Sequence, residues 1–314
     1  MDTKGITMTT RSRRGVPGTT VGIDMGGTMI RGGLVGPDGS LRGVVRRPLP
    51  DSPEARHAAV LELARDLGQD ASAVGVAVAG VIDDGRLLLS ANVGLGDIDL
   101  RADLVESTGL PSEVINDAQA AALAEVHGSS AQGLVLVVTV GTGIGGAVVL
   151  DGKLVRGRGF AGEIGHVVVD RGGLSCGCGA AGCWEGLASG EALRRAAERV
   201  LPGPDRTVDR LVAAADSGEP TAVGALMEAA EAFADGLDGM CAVLAPHRIV
   251  LGGGVFARGG LVADVYRSQA ATRRWVRGAE ITMAVRGDHA GLLGAGLAAR
   301  ELVAGPPTGI LATL

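Results

Sequence analysis

The chain has 314 residues, enough at the usual domain size for about two domains, each with a buried apolar core. Apolar residues make up 46% of the chain and charged residues 20%, which excludes a chain that is disordered throughout. The net charge of -6 and the low aromatic content of 2% argue against nucleic-acid binding, which relies on basic surfaces and base stacking. We therefore expect no nucleic-acid partner.

The first 19 residues contain basic side chains but no apolar stretch of signal-peptide length. We interpret residues 1–19 as a flexible N-terminal tail. Residues 134–150 approach the length of a membrane span, but several glycines and two threonines favour two buried strands instead. The sequence thus predicts a cytoplasmic protein with no membrane partner.

Two segments, residues 19–45 and 134–157, repeat one pattern. Each predicts a strand, a glycine-rich turn and a second strand, followed by a third strand after a hairpin turn at Asp38-Gly39 or Asp151-Gly152. The repetition indicates a duplicated architecture.

The remaining predicted elements alternate between helices and strands. In chain order they are a helix over 53–67, strands over 74–78 and near 114–115, helices over 117–126, 188–200, 208–216 and 221–244, strands over 248–251 and near 281–285, and a closing helix over 291–303. This alternation is typical of an α/β protein, and the repeat suggests a domain boundary near residue 118.

The first glycine turn lies in the segment DMGGT, residues 24–28. Gly26 and Gly27 lack a Cβ, so their backbone N–H groups can approach an anion closely, and Thr28 adds a hydroxyl. Asp24 offers an oxygen ligand for Mg²⁺, directly or through water, as in phosphoryl-transfer sites. An ordinary hairpin turn is the alternative, but the second glycine turn favours phosphate binding.

That second turn, GTGIGG at residues 141–146, includes Thr142 and Gly143 and satisfies the dinucleotide-binding pattern G-x-G-x-x-G. A dinucleotide-binding turn must open a helix, whereas β-branched residues and a hairpin follow this one. Neither glycine turn continues into the Gly-Lys-Ser/Thr of a P-loop. The sequence therefore disfavours a dehydrogenase and a P-loop enzyme.

His166, Cys176, Cys178 and Cys183 follow the spacing H-x₉-C-x-C-x₄-C. Three thiolates and one imidazole complete a tetrahedral zinc shell that has no open position for an activated water. We therefore expect a structural Zn²⁺. A disulfide between Cys176 and Cys178, or unused thiols, is the alternative interpretation.

Asn116 and Asp117 stand between a predicted strand and an alanine-rich helix. Either residue could cap the helix by accepting hydrogen bonds from its free N–H groups. Alternatively, Asp117 could act as a general base toward a substrate hydroxyl, an interpretation that prefers Asn116 as the cap. From these residues alone, capping is favoured.

The chain resembles the ROK family of sugar kinases and sugar-responsive repressors, within the actin-like ATPase superfamily. The resemblance spans about residues 20–300 and rests on DMGGT, NDAQAAALAE, VGTGIGGA, GEIGHVVVD, CGCGAAGCWEGLASG and VLGGGV. It implies an α/β, two-domain actin-like ATPase (ribonuclease H-like) fold, with duplicated mixed β-sheets flanked by helices. The implied domains are residues 20–117, completed by a C-terminal helix at 291–314, and residues 118–290, which include a zinc loop at 157–186.

The resemblance also assigns roles to individual residues. It makes Asp117 the base that deprotonates a sugar 6-hydroxyl, and it places ATP at both glycine hairpins with Gly253 and Gly254 beside the adenosine. The implied sugar-binding residues are Gly80, Asn92, Asn116, Asp117, Glu163, His166 and Glu185, and His166 is also a zinc ligand.

Two positions depart from the family pattern. Asn92 lacks the proline that often precedes it, and Gln119 replaces a frequent asparagine. The resemblance implies an ATP-dependent hexose kinase acting on the 6-hydroxyl of glucose or a related hexose. The alternatives are an N-acetylmannosamine or N-acetylglucosamine kinase and a non-catalytic sugar-sensing regulator. A homo-oligomer, either a dimer or a tetramer, is expected from the family.

Overall fold

The computed structural model describes residues 17–90, 93–129 and 132–304. Most of the predicted tail, Asn92 and the last ten residues of the predicted C-terminal helix lie outside these ranges. No helix within them is both long enough and apolar enough to span a bilayer.

The first half of the chain contains eight strands and three helices within the described residues. These are β1 (Thr20–Met25), β2 (Met29–Val35), β3 (Leu41–Pro48), α1 (Pro53–Gly68), β4 (Val74–Val78), β5 (Val81–Asp83), β6 (Arg86–Ser90), β7 (Leu95–Ile98), α2 (Leu100–Thr108), β8 (Ser112–Asn116) and α3 (Asp117–Val126).

The second half begins with a strand hairpin and is otherwise mostly helical. Its elements are β9 (Leu134–Val140), β10 (Ile144–Leu150), β11 (Lys153–Leu154), α4 (Trp184–Ala188), α5 (Gly190–Val200), α6 (Val208–Asp216), α7 (Pro220–Leu244), β12 (Arg248–Gly252), α8 (Gly254–Ala257), α9 (Gly260–Thr272), β13 (Glu280–Met283) and α10 (Ala290–Glu301).

Two five-stranded sheets share one topology. The first has the order β3-β2-β1-β4-β8 and the second has the order β11-β10-β9-β12-β13. Each sheet is an antiparallel three-stranded meander extended by two parallel strands. The first strand of the meander pairs with one of them, β1 with β4 and β9 with β12, and the last strand pairs with that one, β8 with β4 and β13 with β12. The predicted duplication of a mixed α/β architecture is therefore confirmed.

Helix α10 packs on the first sheet although it comes from the far end of the chain. A Cβ on Gly22 of β1 would lie 2.0 Å from the Leu292 carbonyl oxygen, and a Cβ on Gly75 of β4 would lie 1.9 Å from the Ala295 carbonyl oxygen. The strands therefore need glycine at both positions, since any side chain would push the helix away. This close approach brings the start of α10 next to the carboxyl end of β1.

The second half has a larger core built around aromatic rings. Trp184, Phe233, Phe256 and Tyr266 are buried and contact one another, with ring centroids 5.0 to 6.1 Å apart. Most of the chain's few aromatic residues thus stabilise the interior and offer no surface for stacking bases.

Several predicted boundaries were wrong. The predicted helix over 188–200 is two helices, because Ser189 leaves the helical conformation and caps α5 by accepting from the Ala192 N–H. The strand predicted near 281–285 begins and ends earlier, at Glu280 and Met283. The sequence analysis also missed α2, α9 and the small sheet β5-β6-β7.

Candidate active site

The first glycine turn follows β1 and carries Asp24 at its base. Gly26 is half-buried, while Gly27 and Thr28 are exposed, so their polar groups are open to a ligand. The Asp24 carboxylate accepts a hydrogen bond from Arg31 at 3.1 Å. Burial raises the pKa of Asp24 above its ordinary value, while the Arg31 guanidinium opposes that shift. Asp24 is thus held in place by Arg31, which partly balances its charge, and it offers a carboxylate oxygen as a metal ligand next to the turn.

The second glycine turn, between β9 and β10, is held by the helices that follow the cysteine-rich loop. The Gly190 N–H donates to the Gly141 carbonyl at 2.7 Å. A Cβ on Gly143 would lie 2.5 Å from the Glu185 carboxylate, and Glu185 accepts at 3.4 Å from the Ile144 N–H. This turn therefore lies directly beside one of the predicted sugar-binding carboxylates.

A cleft of about 950 Å³ opens beside the second turn. Gly253, with φ of +86°, lies so close to β9 that a Cβ would be 2.5 Å from the Val140 carbonyl oxygen. The cleft wall includes Thr142, Glu191, Arg194, Asp209, Gly254 and Arg258. The cleft volume falls in the range of small-molecule and cofactor sites.

Sequence analysis identified only the glycines and Thr142 in this cleft. The side chains from α5, α6 and the segment after α8 were missed, because three separate stretches of chain meet only in the folded protein. Charged residues near helix ends are common on protein surfaces, so their residue types would not have distinguished them from ordinary exposed residues.

Asn116 and Asp117 connect β8 to α3. The Asn116 side chain accepts from the N–H groups of Ala118 and Gln119 at 2.8 and 3.2 Å and donates to the Gly80 carbonyl at 3.0 Å. Asn116 is therefore the N-cap of the helix. Asp117 also accepts from the Ala118 N–H, at 2.9 Å, through Oδ1.

Asp117 keeps exposed surface, yet enough protein surrounds its carboxyl group to remove much of its hydration. Burial therefore raises the pKa of Asp117, although hydrogen bonds from the Ala118 N–H and its own N–H oppose the shift. Its negative charge also raises the pKa of Asp24 and of Glu163. Asp117 therefore lies near enough to Asp24 and Glu163 for its charge to act on both carboxylates.

Glu163 directly precedes a single turn of 3₁₀-helix, Ile164–His166, and His166 is its last residue. The His166 Nε2 atom lies 3.7 Å from Glu163 Oε2, and Nδ1 lies 3.5 Å from both Glu185 Oε1 and Cys176 Sγ. Burial raises the pKa of Glu163, while His166 lowers it. One ring nitrogen of His166 therefore faces the cysteines and the other faces a cleft carboxylate.

The four predicted metal ligands meet in space. Ligand atoms of His166, Cys176, Cys178 and Cys183 all lie within 4.8 Å of one another, and the cysteines are free thiols. Three sulfurs and one imidazole nitrogen are the donor set of a structural zinc site. The surrounding loop, residues 167–181, is largely exposed and has little apolar contact to hold it. The donor chemistry and the weakly packed loop both fit a zinc ion.

The structure thus places Gly80, Asn116, Asp117, Glu163, His166 and Glu185 around one region of the molecule. Asn92 lies outside the described residues, so its predicted role remains a prediction.

A family model described as the ROK family matches residues 20–301. The chain belongs to the ROK family. A glucokinase from Streptomyces coelicolor is 36% identical over 314 aligned positions, which cover 90% of this chain and 98% of that protein. An N-acetylmannosamine kinase from Escherichia coli is 38% identical over 292 positions, which cover 90% of this chain and 98% of that protein.

Among solved structures, a ROK family glucokinase from Streptomyces griseus in complex with glucose and AMPPNP has a TM-score of 0.76 to this chain. It is 34% identical, and the match covers 90% of this chain and 99% of that chain. The family resemblance predicted from the motifs is therefore confirmed, together with the actin-like α/β fold. The domain boundaries and the role of each ROK site residue remain predictions.

Proposed function

We propose that this protein transfers the γ-phosphoryl group of ATP to the 6-hydroxyl of glucose or a related hexose. The observation that carries the proposal is the placement of Asp117 at the start of α3, where Asn116 supplies the helix cap and the Asp117 charge acts on the Glu163 carboxyl group. The sugar kinases among its relatives support a kinase.

The acceptor side of the proposed site is formed by Glu163, His166 and Glu185. Carboxylate oxygens accept from sugar hydroxyls, and an imidazole N–H can donate to one. Because the two glutamates lie on either side of His166, a sugar held between them would be contacted by both donors and acceptors. Asn116 and the backbone at Gly80 would complete this rim.

The donor side is the 950 Å³ cleft together with the two glycine turns. The base and ribose of ATP would occupy the cleft beside Gly253 and Gly254, and the phosphates would lie along the turns at Gly26–Thr28 and Thr142–Gly143. When bound near Asp24, Mg²⁺ would supply charge neutralisation to the β- and γ-phosphates.

In the proposed reaction Asp117 accepts the proton of the sugar 6-hydroxyl as its oxygen bonds to the γ-phosphorus. The bond from that phosphorus to the β,γ-bridging oxygen breaks, and ADP leaves with the electron pair. A raised pKa makes Asp117 a stronger base, because basicity rises with the pKa of the conjugate acid. Alignment of donor and acceptor would contribute much of the rate acceleration.

We also propose that His166, Cys176, Cys178 and Cys183 hold one structural Zn²⁺. Its contribution would be to order the loop that carries the sugar-binding residues, since a closed shell leaves no position for catalysis. Glu185 follows Cys183 by two positions, so fixing the cysteine also fixes the start of α4.

An N-acetylmannosamine kinase is the second candidate, because a relative of that name is as similar to the chain as the glucokinase. A sugar-sensing regulator is the third candidate. Against it, Asp117 is not needed as the cap of α3, because Asn116 is the cap, and its carboxylate is left for catalysis. A cytoplasmic location and a dimeric or tetrameric assembly remain predictions.

The decisive test is ADP release with ATP, Mg²⁺ and a panel of hexoses and N-acetylhexosamines. The proposal predicts turnover with glucose, or with a hexose that differs from it at one position. Turnover restricted to the 2-acetamido sugars would replace it with the second candidate. Sugar binding by calorimetry without ADP release would favour the regulator.

A further inference from the structure

Gln119 lies two positions beyond Asp117, in the first turn of α3, and its side chain is buried. Its Nε2 atom donates a hydrogen bond to the Ala161 carbonyl at 3.1 Å. Ala161 stands two positions before Glu163. The bond therefore links the helix that carries the proposed base to the loop that carries a proposed sugar-binding carboxylate.

The loop around Ala161 is pressed against neighbouring backbone on both sides of that bond. Gly159, with φ of +83°, and Gly162, with φ of +104°, leave no room for side chains. A Cβ at either position would lie 2.3 Å from a backbone oxygen, that of Ile82 or that of Gly146. The backbone therefore packs against the small sheet at Gly159 and against β10 at Gly162, and the Gln119 hydrogen bond holds Ala161 between these two contacts.

The start of the loop is held separately. Arg156 lies 3.1 Å from Glu113, a buried residue of β8 that also pairs with Arg101 at 3.4 Å. Because this anchor precedes the glycines, loss of the Gln119 bond would release the middle of the loop without detaching its beginning.

We propose that Gln119 is a positioning residue that fixes the separation between the Asp117 and Glu163 carboxylates, and thereby the affinity for the sugar. The inference rests on the proposed function, in which both carboxylates contact the acceptor. Without the amide donor, the Ala161 carbonyl would lack this partner, and the loop would shift until the oxygen reached water or another donor.

Glutamine suits this position because its amide is a neutral donor. Glutamate at position 119 would set an acceptor against the Ala161 carbonyl oxygen, and in its ionised form it would add a negative charge beside Asp117 and Glu163. Gln119→Glu should therefore weaken sugar binding more than Gln119→Met, which removes the donor but keeps the side chain long and apolar.

The test compares steady-state constants of wild type and Gln119→Met with the sugar that supports ADP release. We expect the sugar KM to rise roughly threefold to tenfold, the size of one buried hydrogen bond, while the ATP KM stays within about twofold. Gln119→Asn keeps an amide on a shorter side chain and should give a sugar KM between that of wild type and that of Gln119→Met. It is also the fallback if Gln119→Met fails to fold.

Thr20→Val is the matched control. It removes another buried hydrogen bond from a side chain to a carbonyl, Thr20 Oγ1 to Gly296 at 2.7 Å, at the end of β1 remote from Glu163. It should lower the melting temperature and leave the sugar KM unchanged. An unchanged sugar KM in Gln119→Met, or equal rises in the sugar and ATP KM values, would overturn the role of Gln119.

Calorimetric titration of the same sugars separates the two proposals. Sugar binding without turnover in wild type would remove the kinase function, and weaker binding by Gln119→Met would then still support the positioning role. Absence of both binding and turnover would overturn both proposals. Turnover in wild type with an unaltered affinity in Gln119→Met would remove only the second.

Discussion

Asn116 caps helix α3 with Oδ1 and thereby leaves the neighbouring Asp117 unneeded as the cap. The two residues are adjacent, and one carries an amide where the other carries a carboxylate, yet their side chains make different contacts. The amide of Asn116 is hydrogen-bonded to the helix N–H groups and to Gly80, whereas the Asp117 carboxylate lies close enough to Glu163 for its charge to raise the pKa of that residue. This division supports Asp117 as the proton acceptor.

Asp117→Asn should lower kcat by about 10²- to 10⁴-fold, because an amide cannot take up the hydroxyl proton. Folding and sugar binding should persist, since Asn116 supplies the cap. The measurements are ADP release and sugar titration by calorimetry. Asp99→Asn is the control, because Asp99 caps α2 by accepting from the Ala102 N–H on an exposed surface and should leave kcat unchanged. A kcat for Asp117→Asn close to that of wild type would remove Asp117 from the reaction.

The pH profile of kcat/KM should show an acidic limb above the ordinary aspartate range of about 3.9. Burial raises the pKa of Asp117, and the base must be ionised, so activity falls as pH drops through that raised value. Burial also raises the pKa of Glu163, so the profile is repeated with Glu163→Gln. A limb that persists in Glu163→Gln belongs to Asp117 or to Asp24, whose pKa burial also raises. Full activity down to the ordinary range would contradict the assignment.

In the proposed zinc site, Cys178→Ser should abolish zinc binding and lower the melting temperature by at least about 5 °C, because the metal would be what orders the loop. Zinc content by elemental analysis and thermal unfolding test this together. Cys241→Ser is matched in chemistry but lies buried in α7, outside the cluster, so it should change stability while keeping one zinc. Wild-type protein that purifies without stoichiometric zinc would count against the site.

Gly22→Ala should destabilise the protein by about 1 to 3 kcal/mol, because the new Cβ meets the Leu292 carbonyl of α10. Gly224→Ala serves as its control. Gly224 lies in α7 with open space around it, so alanine there should stabilise by up to about 1 kcal/mol. Urea unfolding of both variants checks the expectation, which fails if Gly22→Ala is as stable as wild type.

The sequence predicted best those features that local chemistry determines. Asp38-Gly39 and Asp151-Gly152 each specify a hairpin locally, β2-β3 and β10-β11. The spacing of His166 and the cysteines brings their ligand atoms together over a short loop. The duplicated sheets followed from these local signals. Ser189 escaped notice because the apolar pattern continues through it, although its side chain caps a new helix.

What could not be predicted depends on contacts between distant segments. The bond from Gln119 to Ala161 joins residues 42 positions apart, and only the folded chain shows that they meet. The same holds for the cleft wall contributed by α5, α6 and the residues after α8. The strands of the small sheet are three to five residues long, too short to give a clear alternation.

The seating of α10 on β1 has a consequence for how the polypeptide is made. Thr20 donates a hydrogen bond to the carbonyl of Gly296, 276 positions later in the chain. The face of β1 and β4 that carries Gly22 and Gly75 therefore stays uncovered until α10 has been made. During translation, the opening strands would therefore emerge from the ribosome long before their covering helix. Until α10 has been made, the sheet lacks its covering helix, and Asp24 lacks the contact with Gly291 that borders it in the folded protein.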